Sequence, residues 1–197
     1  MNIPFIIFDV ETNGFAGSSV LSISAIKGLF NSNNQTICKE NEYNRYYFRN
    51  KGESLNPKAI EVNGLSDDII SEKRLYCDYP LYFNNDIDDF KVFCDNAMHY
   101  VGHNIQFDRQ FIPYPLPFTF CTMHQNTNIV KTGWNSYYGT YKWPKLAEAA
   151  LHYKIKLDSE NLHSSSYDTA LTYLIFESML LHNDTKHTVL NFLSAFE

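Results

Sequence analysis

Two carboxylates, Asp9 and Glu11, stand directly after the apolar run 3–8. In an extended strand, residues i and i+2 project from the same face, so this spacing directs both carboxylates to one point at the strand's end. Two acids held this close at neutral pH repel one another unless a cation lies between them, and oxygen ligands select a hard cation such as Mg²⁺ or Mn²⁺. Taken alone, the pattern also fits two solvated acids in a loop after a strand.

Two later segments carry further groups of the same kind. The stretch 101–112 is expected to be a short buried strand, a turn and a helix from near Asn104, with Asp108 about one turn along on the same face. Near residue 165 another helix is expected to carry Asp168. Five residues turn a helix by about 140°, so His163 and Asp168 cannot point the same way if both are helical. His163 is therefore assigned to the loop before this helix, and Ser164–Ser166 are candidate N-cap residues.

In this order, the three segments resemble the three motifs of the DEDDh family, the DnaQ-like 3′-5′ exonucleases that include polymerase proofreading subunits. The stretch 55–68 resembles the part of that family between the first two motifs, where a small helix precedes a hydrophobic wedge against the terminal nucleotide. The resemblance covers roughly residues 3 to 182. It implies an α/β protein with a ribonuclease H-like fold, in which helices flank a central mixed five-stranded sheet.

The resemblance also implies the site. Two divalent ions, Mg²⁺ or Mn²⁺, would serve phosphodiester hydrolysis by a two-metal-ion mechanism. Histidine has an ordinary pKa near 6.5, so His163 is the expected general base, with His103 as its strongest rival. The expected catalytic residues are Asp9, Glu11, Asp108, His163 and Asp168, of which the four acids are the metal ligands. The expected substrate-binding residues are Thr12, Phe15, Leu65, Asn104 and Phe107, although ordinary core packing is an equal explanation for Phe15, Leu65 and Phe107.

The chain departs from the family pattern at two places. Asn63 stands where the family often has histidine, which puts only a substrate contact in doubt. The serines 164–166 follow His163, where the family commonly has a small or acidic residue. A sister family instead has tyrosine four residues before the last aspartate, but that position here is Ser164, so the histidine version fits better.

The predicted activity is removal of 5′-mononucleotides from the 3′ end of single-stranded nucleic acid, with DNA favoured over RNA. An RNA-trimming or oligoribonuclease-like exonuclease is the alternative, and a catalytically silent nucleic-acid-binding module is a weaker one. A phosphatase of the haloacid dehalogenase type would need a second aspartate where Glu11 stands and leaves His163 and Asp168 unexplained. A polymerase or a repair complex is a candidate partner, and the oligomeric state stays open.

Composition limits the class of protein. A chain of 197 residues with 44% hydrophobic content suits one domain with a substantial core. The four widely spaced cysteines indicate reduced thiols, and no apolar run approaches the roughly 20 residues of a membrane span, so a cytoplasmic protein without membrane partners is expected. The net charge of −6 argues against a protein that coats long nucleic acid.

Periodicity predicts the elements that position these groups. The expected domain is 1–182, followed by a tail, 183–197, that can form a short helix packed on the domain. Loops are expected at 71–83 and 131–142, the second bordering the active site. Strands are expected near 3–9, 19–27, 43–49, 98–101 and 118–122, with a turn at 31–36, and helices near 57–62, 84–97, 104–112, 143–152 and 165–181.

Overall fold

A sheet of five strands forms the centre of the computed structural model, which describes residues 1–158 and 162–195. The strands are β1 Asn2–Thr12, β2 Val20–Asn31, β3 Thr36–Tyr46, β4 His99–Gly102 and β5 Phe118–Cys121. Their order across the sheet is β3-β2-β1-β4-β5. The first three strands are antiparallel, whereas β4 and β5 run parallel to β1. This sheet confirms the predicted α/β fold with a mixed five-stranded sheet.

Helices cover both faces of the sheet. Two short 3₁₀ turns, Phe83–Asn85 and Arg109–Phe111, and a small hairpin of β6 Trp134–Asn135 with β7 Thr140–Tyr141 complete the secondary structure described here. The helices are α1 Pro57–Asn63, α2 Asp67–Lys73, α3 Ile87–Cys94, α4 Ile105–Asp108, α5 Thr122–Val130, α6 Leu146–His152, α7 Ser165–Leu181 and α8 Asn183–Leu193.

The two faces of β1 build two hydrophobic clusters. Phe8 and the other even-numbered apolar residues of this strand pack with α3, where the Phe8 and Phe90 rings lie 6.3 Å apart. The odd-numbered residues pack with α7 and α8, where the Phe5 and Phe176 rings lie 5.6 Å apart. Because side chains alternate along a strand, Asp9 and Glu11 belong to the α7 face.

The third strand was predicted to span 43–49, and this is wrong, because β3 begins at Thr36 and ends at Tyr46. Most of β3 is exposed and polar, and only Tyr43 is buried, so the edge strand carries no apolar alternation to show where it begins. The predicted turn is present in shorter form between β2 and β3, where the Asn31 side chain accepts hydrogen bonds from the backbone N–H groups of Asn33 and Asn34.

Several helix boundaries also differ from the prediction. The helix predicted at 84–97 is reduced to α3, since Asp95 and Asn96 have positive φ angles of 25° and 31°. The helix predicted at 104–112 divides into α4 and a 3₁₀ turn, and the one predicted at 143–152 begins only at Leu146, after Pro144. Helices α1 and α7 lie where the sequence predicts them.

Helices α2 and α5 were not predicted, and the segments 71–83 and 131–142 are not entirely loops. The first contains the end of α2 and the second contains the β6-β7 hairpin. Helix α5 is rich in asparagine and threonine, which are weak helix formers, and tertiary contacts hold it. Buried Asn126 is the clearest example, since its Oδ1 accepts a hydrogen bond of 2.7 Å from the Tyr153 hydroxyl.

The last part of the chain packs against the rest. Helix α8 buries Val189 and Leu193 in the cluster of the α7 face. The division into a domain, 1–182, and a tail, 183–197, stays a prediction. Within residues 1–158 and 162–195, no helix combines the length and the apolar character that a membrane crossing requires.

Candidate active site

Three carboxylates converge at the end of β1. Asp9 and Glu11 project from one face of this strand, and Asp168 comes from the first turn of α7. Each of the three offers a carboxylate oxygen, and these oxygens all lie within 4.8 Å of one another. Asp9 and Glu11 are partly accessible, whereas Asp168 is buried. Residues far apart in sequence thus form the kind of acidic cluster that the spacing predicts.

Asp108 lies beside this cluster at the end of α4. Its side chain is 3% exposed, and its Oδ1 accepts a hydrogen bond of 3.1 Å from the backbone N–H of Val10. Val10 separates Asp9 from Glu11, so this bond fixes α4 to the segment that carries the first two acids. The backbone bond orients Asp108, which is not part of the group of three that meets within 4.8 Å.

Buried hydroxyl groups position Asp168. The Ser165 hydroxyl lies 2.9 Å from the hydroxyls of both Ser22 and Ser24, and the Thr169 hydroxyl donates to the backbone carbonyl of Ser24. Ser22 and Ser24 are the β2 partners of Glu11 and Asp9 in the sheet. The beginning of α7 is therefore held against the strand that pairs with the first two acids.

The four acids lie in surroundings that disfavour their charged forms. Burial, and then the charges of the neighbouring acids, raise the pKa of Asp9 well above its usual value and that of Glu11 to about 8. Burial raises the pKa of Asp108 to about 7 and that of Asp168 to about 6. Among the described residues, no lysine or arginine forms an ion pair with these four acids, and Asp168 Oδ1 has no hydrogen-bond partner. Divalent cations would supply the missing positive charge, so the residues fit the predicted metal ions.

His163 lies in the loop before the helix, as the sequence predicts, since α7 begins at Ser165. It is exposed, has a left-handed φ angle of 67°, and lines a pocket of about 190 Å³ together with Glu11. Burial raises the pKa of Asp168, and the nearby His163 opposes this rise through its charge and its backbone N–H. His163 therefore lies close to Asp168 while its side chain lines the pocket with Glu11.

His103 makes two structural hydrogen bonds instead. Its Nε2 lies 3.0 Å from the carbonyl of Pro144 and its Nδ1 lies 3.0 Å from the Thr122 hydroxyl. A carbonyl only accepts, so Nε2 carries the proton and Nδ1 accepts from the hydroxyl. Burial lowers the pKa of His103 to about 4. With its lone pair engaged, this histidine is a poor rival to His163 as a general base.

Comparison with known families identifies the chain. The model of the RNase T family, described as exonuclease, matches residues 6–176. The chain belongs to this exonuclease family. A comparison with curated protein sequences gives no significant match.

Several solved exonuclease structures share the fold. Exonuclease X, solved in complex with 5′ overhanging duplex DNA, aligns over 96% of this chain and 99% of its own, with a TM-score of 0.60 and 17% identity. Exonuclease I of Methylocaldum szegediense has a TM-score of 0.67 and 13% identity, and the alignment covers 96% of this chain but 42% of that enzyme. For cell-death related nuclease 4 the TM-score is 0.64 at 13% identity, over 90% of this chain and 64% of the other. These likenesses confirm the ribonuclease H-like exonuclease fold.

A second cavity, of about 390 Å³, brings together three of the five predicted substrate-binding residues of this exonuclease. Thr12, Phe15 and Phe107 line it together with Glu11. Phe15 is 87% exposed, which core packing does not explain, whereas Phe107 packs on Phe111 with ring centroids 5.2 Å apart.

The other two predicted substrate-binding residues lie elsewhere. Leu65 lines the smaller pocket with His163, but it is only 6% exposed and packs on Leu21 and Ile70. Asn104 lines neither cavity and occupies the left-handed position before α4, with φ of 75°. The structure therefore separates these two residues from the cavity of Thr12, Phe15 and Phe107.

Asn63 contacts the site more closely than the sequence suggests. Its side chain donates to the backbone carbonyl of Thr12 over 3.1 Å and accepts from the backbone N–H of Leu65 over 3.0 Å. Burial raises the pKa of Glu11, and the Asn63 side chain opposes this rise. It lines both cavities, so it connects the acid cluster to the substrate side. Ser22 and Ser24 were also missed, although two serines spaced i and i+2 in a buried apolar strand are a usable signal of a shared polar face.

Proposed function

We propose that this exonuclease removes 5′-mononucleotides one at a time from the 3′ end of single-stranded nucleic acid, with two bound Mg²⁺ or Mn²⁺ ions. The observation that carries this proposal is the convergence of Asp9, Glu11 and Asp168 within 4.8 Å, beside Asp108 and without a neutralising lysine or arginine among the described residues. Without cations the acids would have to share protons to limit their repulsion, and such a cluster would serve no evident structural purpose there. Four carboxylates can hold two hard divalent cations.

The chain's own residues would divide the work. When bound, the two ions would offset charge on the phosphate and stabilise the attacking and leaving oxygens. Asp9, Glu11, Asp108 and Asp168 would hold them. Asn63 would help to orient the Glu11 carboxylate, since it lines both cavities together with Glu11 and opposes the rise in the pKa of that acid. The serine contacts of α7 would hold Asp168 in register with the strand.

His163 would act as the general base that takes a proton from the attacking water. Its exposed position on the pocket that Glu11 also lines supports this role. The carboxylates cannot easily take the role themselves while they are ligands. Removal of a positioned base typically lowers the rate by about 10²–10⁴-fold.

The cavity beside Glu11 would receive the terminal nucleotide. Phe15 and Phe107 offer aromatic faces on which any base can stack, which suits an enzyme that degrades strands without reading their sequence. Asn63 and Thr12 provide polar groups at the same cavity. Leu65 and Asn104, which line no part of this cavity, would contribute through packing and backbone contacts elsewhere in the site.

DNA is the favoured substrate, because relatives with this fold were solved in complex with DNA. Exonuclease X was solved with 5′ overhanging duplex DNA and exonuclease I of E. coli with a dA16 oligonucleotide. The four free cysteines support the predicted cytoplasmic location. A polymerase or repair complex is proposed as a partner, and residues 1–182 are proposed as the single exonuclease domain.

Digestion of matched single strands of DNA and RNA, both labelled at the 5′ end, tests the function. With Mg²⁺ or Mn²⁺ the labelled DNA should give a ladder that shortens from the 3′ end, faster than RNA. Asp9→Asn should abolish it. Faster digestion of RNA would select the exoribonuclease alternative. Cutting of circular single strands, undiminished turnover in excess EDTA or no hydrolysis at all would refute the proposal.

A further inference from the structure

The β6-β7 hairpin lies within the longest stretch of the chain that contains no aspartate or glutamate. No aspartate or glutamate occurs between Asp108 and Glu148, although the chain contains 22 acids and has a net charge of −6. Within this part, residues 131–145 carry three lysines and five aromatic side chains. We call residues 131–145 the aromatic hairpin. The aromatic hairpin has a positive net charge, whereas the rest of the chain has a negative one.

The aromatic side chains of this hairpin face solvent. Trp134 is 59% exposed, Tyr137 86%, Tyr138 73% and Trp143 63%. The rings contact each other rather than the core: the Tyr137 and Tyr138 centroids lie 4.7 Å apart, and Trp134 meets Tyr141 at 5.1 Å. Clustered exposed aromatics of this kind mark interaction sites in soluble proteins.

The hairpin holds its shape without these rings. The Asn135 side chain accepts hydrogen bonds from the backbone N–H groups of Tyr137 and Tyr138, and Lys142 N–H donates to the carbonyl of Gly133 over 2.7 Å. Gly139 supplies a positive φ angle of 63° at the turn. Polar groups and Gly139 therefore define the turn, and the tyrosine rings are not needed to hold it. Their exposure to solvent requires another explanation.

The hairpin is anchored at the edge of the sheet that carries the active site. His103 Nε2 donates to the carbonyl of Pro144, at the base of the hairpin, and His103 follows β4 directly. The next residues carry α4 with Asp108. Because β1, β4 and β5 are parallel, their carboxyl ends lie at one edge, where Asp9 and Glu11 also stand.

We infer that the aromatic hairpin is a second nucleic-acid-binding surface, which holds the single strand on the 5′ side of the nucleotides in the active site. The inference rests on the proposed function. Tyr137 and Tyr138 would stack on bases, and Lys131, Lys142 and Lys145 would contact phosphates. Stacking is worth roughly 1–3 kcal/mol per base and tolerates any sequence. This surface would give an acidic protein a locally basic place at which to bind a polyanion, since three lysines lie there in a stretch without acids.

The test compares a long and a short substrate in a variant without the tip rings. The variant is Tyr137→Ser with Tyr138→Ser, and the substrates are oligothymidylates of about 20 and about four nucleotides, because single-strand sites span roughly 4–16 nucleotides per domain. Wild-type protein should have a lower KM for the long strand. The variant should raise the KM for the long strand about tenfold or more and lose that preference.

Matched variants separate stacking from charge and from general damage. Tyr76→Ser removes a tyrosine outside the hairpin that is even more exposed than Tyr137 and Tyr138, and it should leave the preference intact. Lys142→Gln with Lys145→Gln should reduce the salt dependence of long-strand binding, with a loss in slope of about 0.7 for each phosphate contact removed. Anisotropy of the labelled long strand in EDTA measures binding without turnover.

The outcomes distinguish the two proposals. If no strand is hydrolysed, the proposed function fails, while a loss of long-strand binding in the tyrosine variant would still support the hairpin surface. If hydrolysis is normal and the variant keeps the wild-type preference and binding for the long strand, the hairpin inference is overturned. A binding loss equal for long and short strands, or one equalled by Tyr76→Ser, would also overturn it.

Discussion

The protein buries aspartate side chains in two regions that treat them in opposite ways. Asp86, at the start of α3, is 1% exposed and fully supplied with donors. Arg45 Nη1 lies 2.6 Å from both of its oxygens, and the hydroxyls of Tyr47 and Tyr43 donate over 2.7 and 3.0 Å. The Arg45 guanidinium also lies 4.6 Å from the centroid of the Tyr43 ring. This carboxylate is a structural link between β3 and α3.

The acids at the end of β1 have far fewer hydrogen-bond donors than Asp86. Burial and mutual repulsion raise the pKa of Glu11 to about 8, and Asp168 Oδ1 has no partner among the described residues. The same fold can therefore neutralise a buried carboxylate when it uses one for stability. The difference supports the proposal that cations complete the acid cluster and that its groups serve chemistry rather than folding.

The largest expected effect is the loss of activity in Asp108→Asn. This change removes one metal-holding charge but keeps the shape that accepts the Val10 N–H, so we expect a rate loss on the order of 10⁴-fold, equivalent to several kcal/mol of transition-state stabilisation. Single-turnover hydrolysis of a labelled strand measures it. Asp86→Asn is the matched control, to be assayed where it stays folded. Comparable rate losses in Asp108→Asn and Asp86→Asn would contradict the assignment of one acid to chemistry and the other to stability.

A smaller loss is expected for His163→Asn. Asparagine tolerates the left-handed backbone at this position, where φ is 67°, and the change leaves the backbone N–H near Asp168 in place. We expect kcat to fall about 10²–10⁴-fold while KM changes little, with partial rescue by added imidazole. His187→Asn, at an exposed histidine of α8, is the control. Wild-type kcat in His163→Asn would remove this residue from the mechanism.

The free energy of unfolding should respond in the reverse order, so Asp86→Asn should lower it more than Asp9→Asn. Asp86→Asn removes the buried charge partner of Arg45, leaves only the exposed Asp89 to pair with it and sets an amide N–H against other donors, so the free energy of unfolding should fall by about 3 kcal/mol. Asp9→Asn relieves repulsion and should leave the metal-free protein as stable as wild type or slightly more stable. Urea unfolding in EDTA measures both. An equal loss in the two variants would show that both regions are structural.

The smallest effect is a pH dependence of the metal-free protein. Folding raises the pKa of Glu11 from 4.5 to about 8, so the folded state binds the proton more tightly than the unfolded state. Its stabilising contribution is complete below pH 4.5 and is lost as the pH rises through about 8. In EDTA the free energy of unfolding should therefore fall between these values, by less than about 1.4 kcal/mol per pH unit because Glu11 is partly exposed.

Glu11→Gln removes the contribution of Glu11 to this pH dependence. In the variant the free energy of unfolding should fall less steeply over the same pH range, and Mg²⁺ should stabilise wild type more at high pH than at low pH, because protons compete with the metal. Identical pH profiles for wild type and Glu11→Gln would show that this group keeps its ordinary affinity for protons in the folded chain.

The sequence predicts the acids of the site well because their spacing follows from strand and helix geometry. Asp9 and Glu11 share a face through the two-residue period, and the turn angle of a helix places His163 before α7. The contacts of Asn63, Ser22 and Ser24 depend on which elements meet in space. The spacing of the two serines signals a shared polar face, but no local pattern shows that Ser165 of α7 packs on it. The same reason explains the missed α5 and the wrong bounds predicted for β3, where burial of a few residues such as Asn126 and Tyr43 outweighs weak propensity.

Calorimetric titration with MnCl₂ tests most directly whether the acid cluster is a metal site. Wild-type protein should show saturable binding that approaches two ions per chain, with release of protons near neutral pH because burial and neighbouring charges raise the pKa values of Asp9 and Glu11. Asp9→Asn combined with Asp168→Asn should abolish it, whereas Asp86→Asn, where folded, should retain it. Saturable binding that the double variant keeps undiminished, or none by wild type at millimolar Mn²⁺, would contradict the assignment.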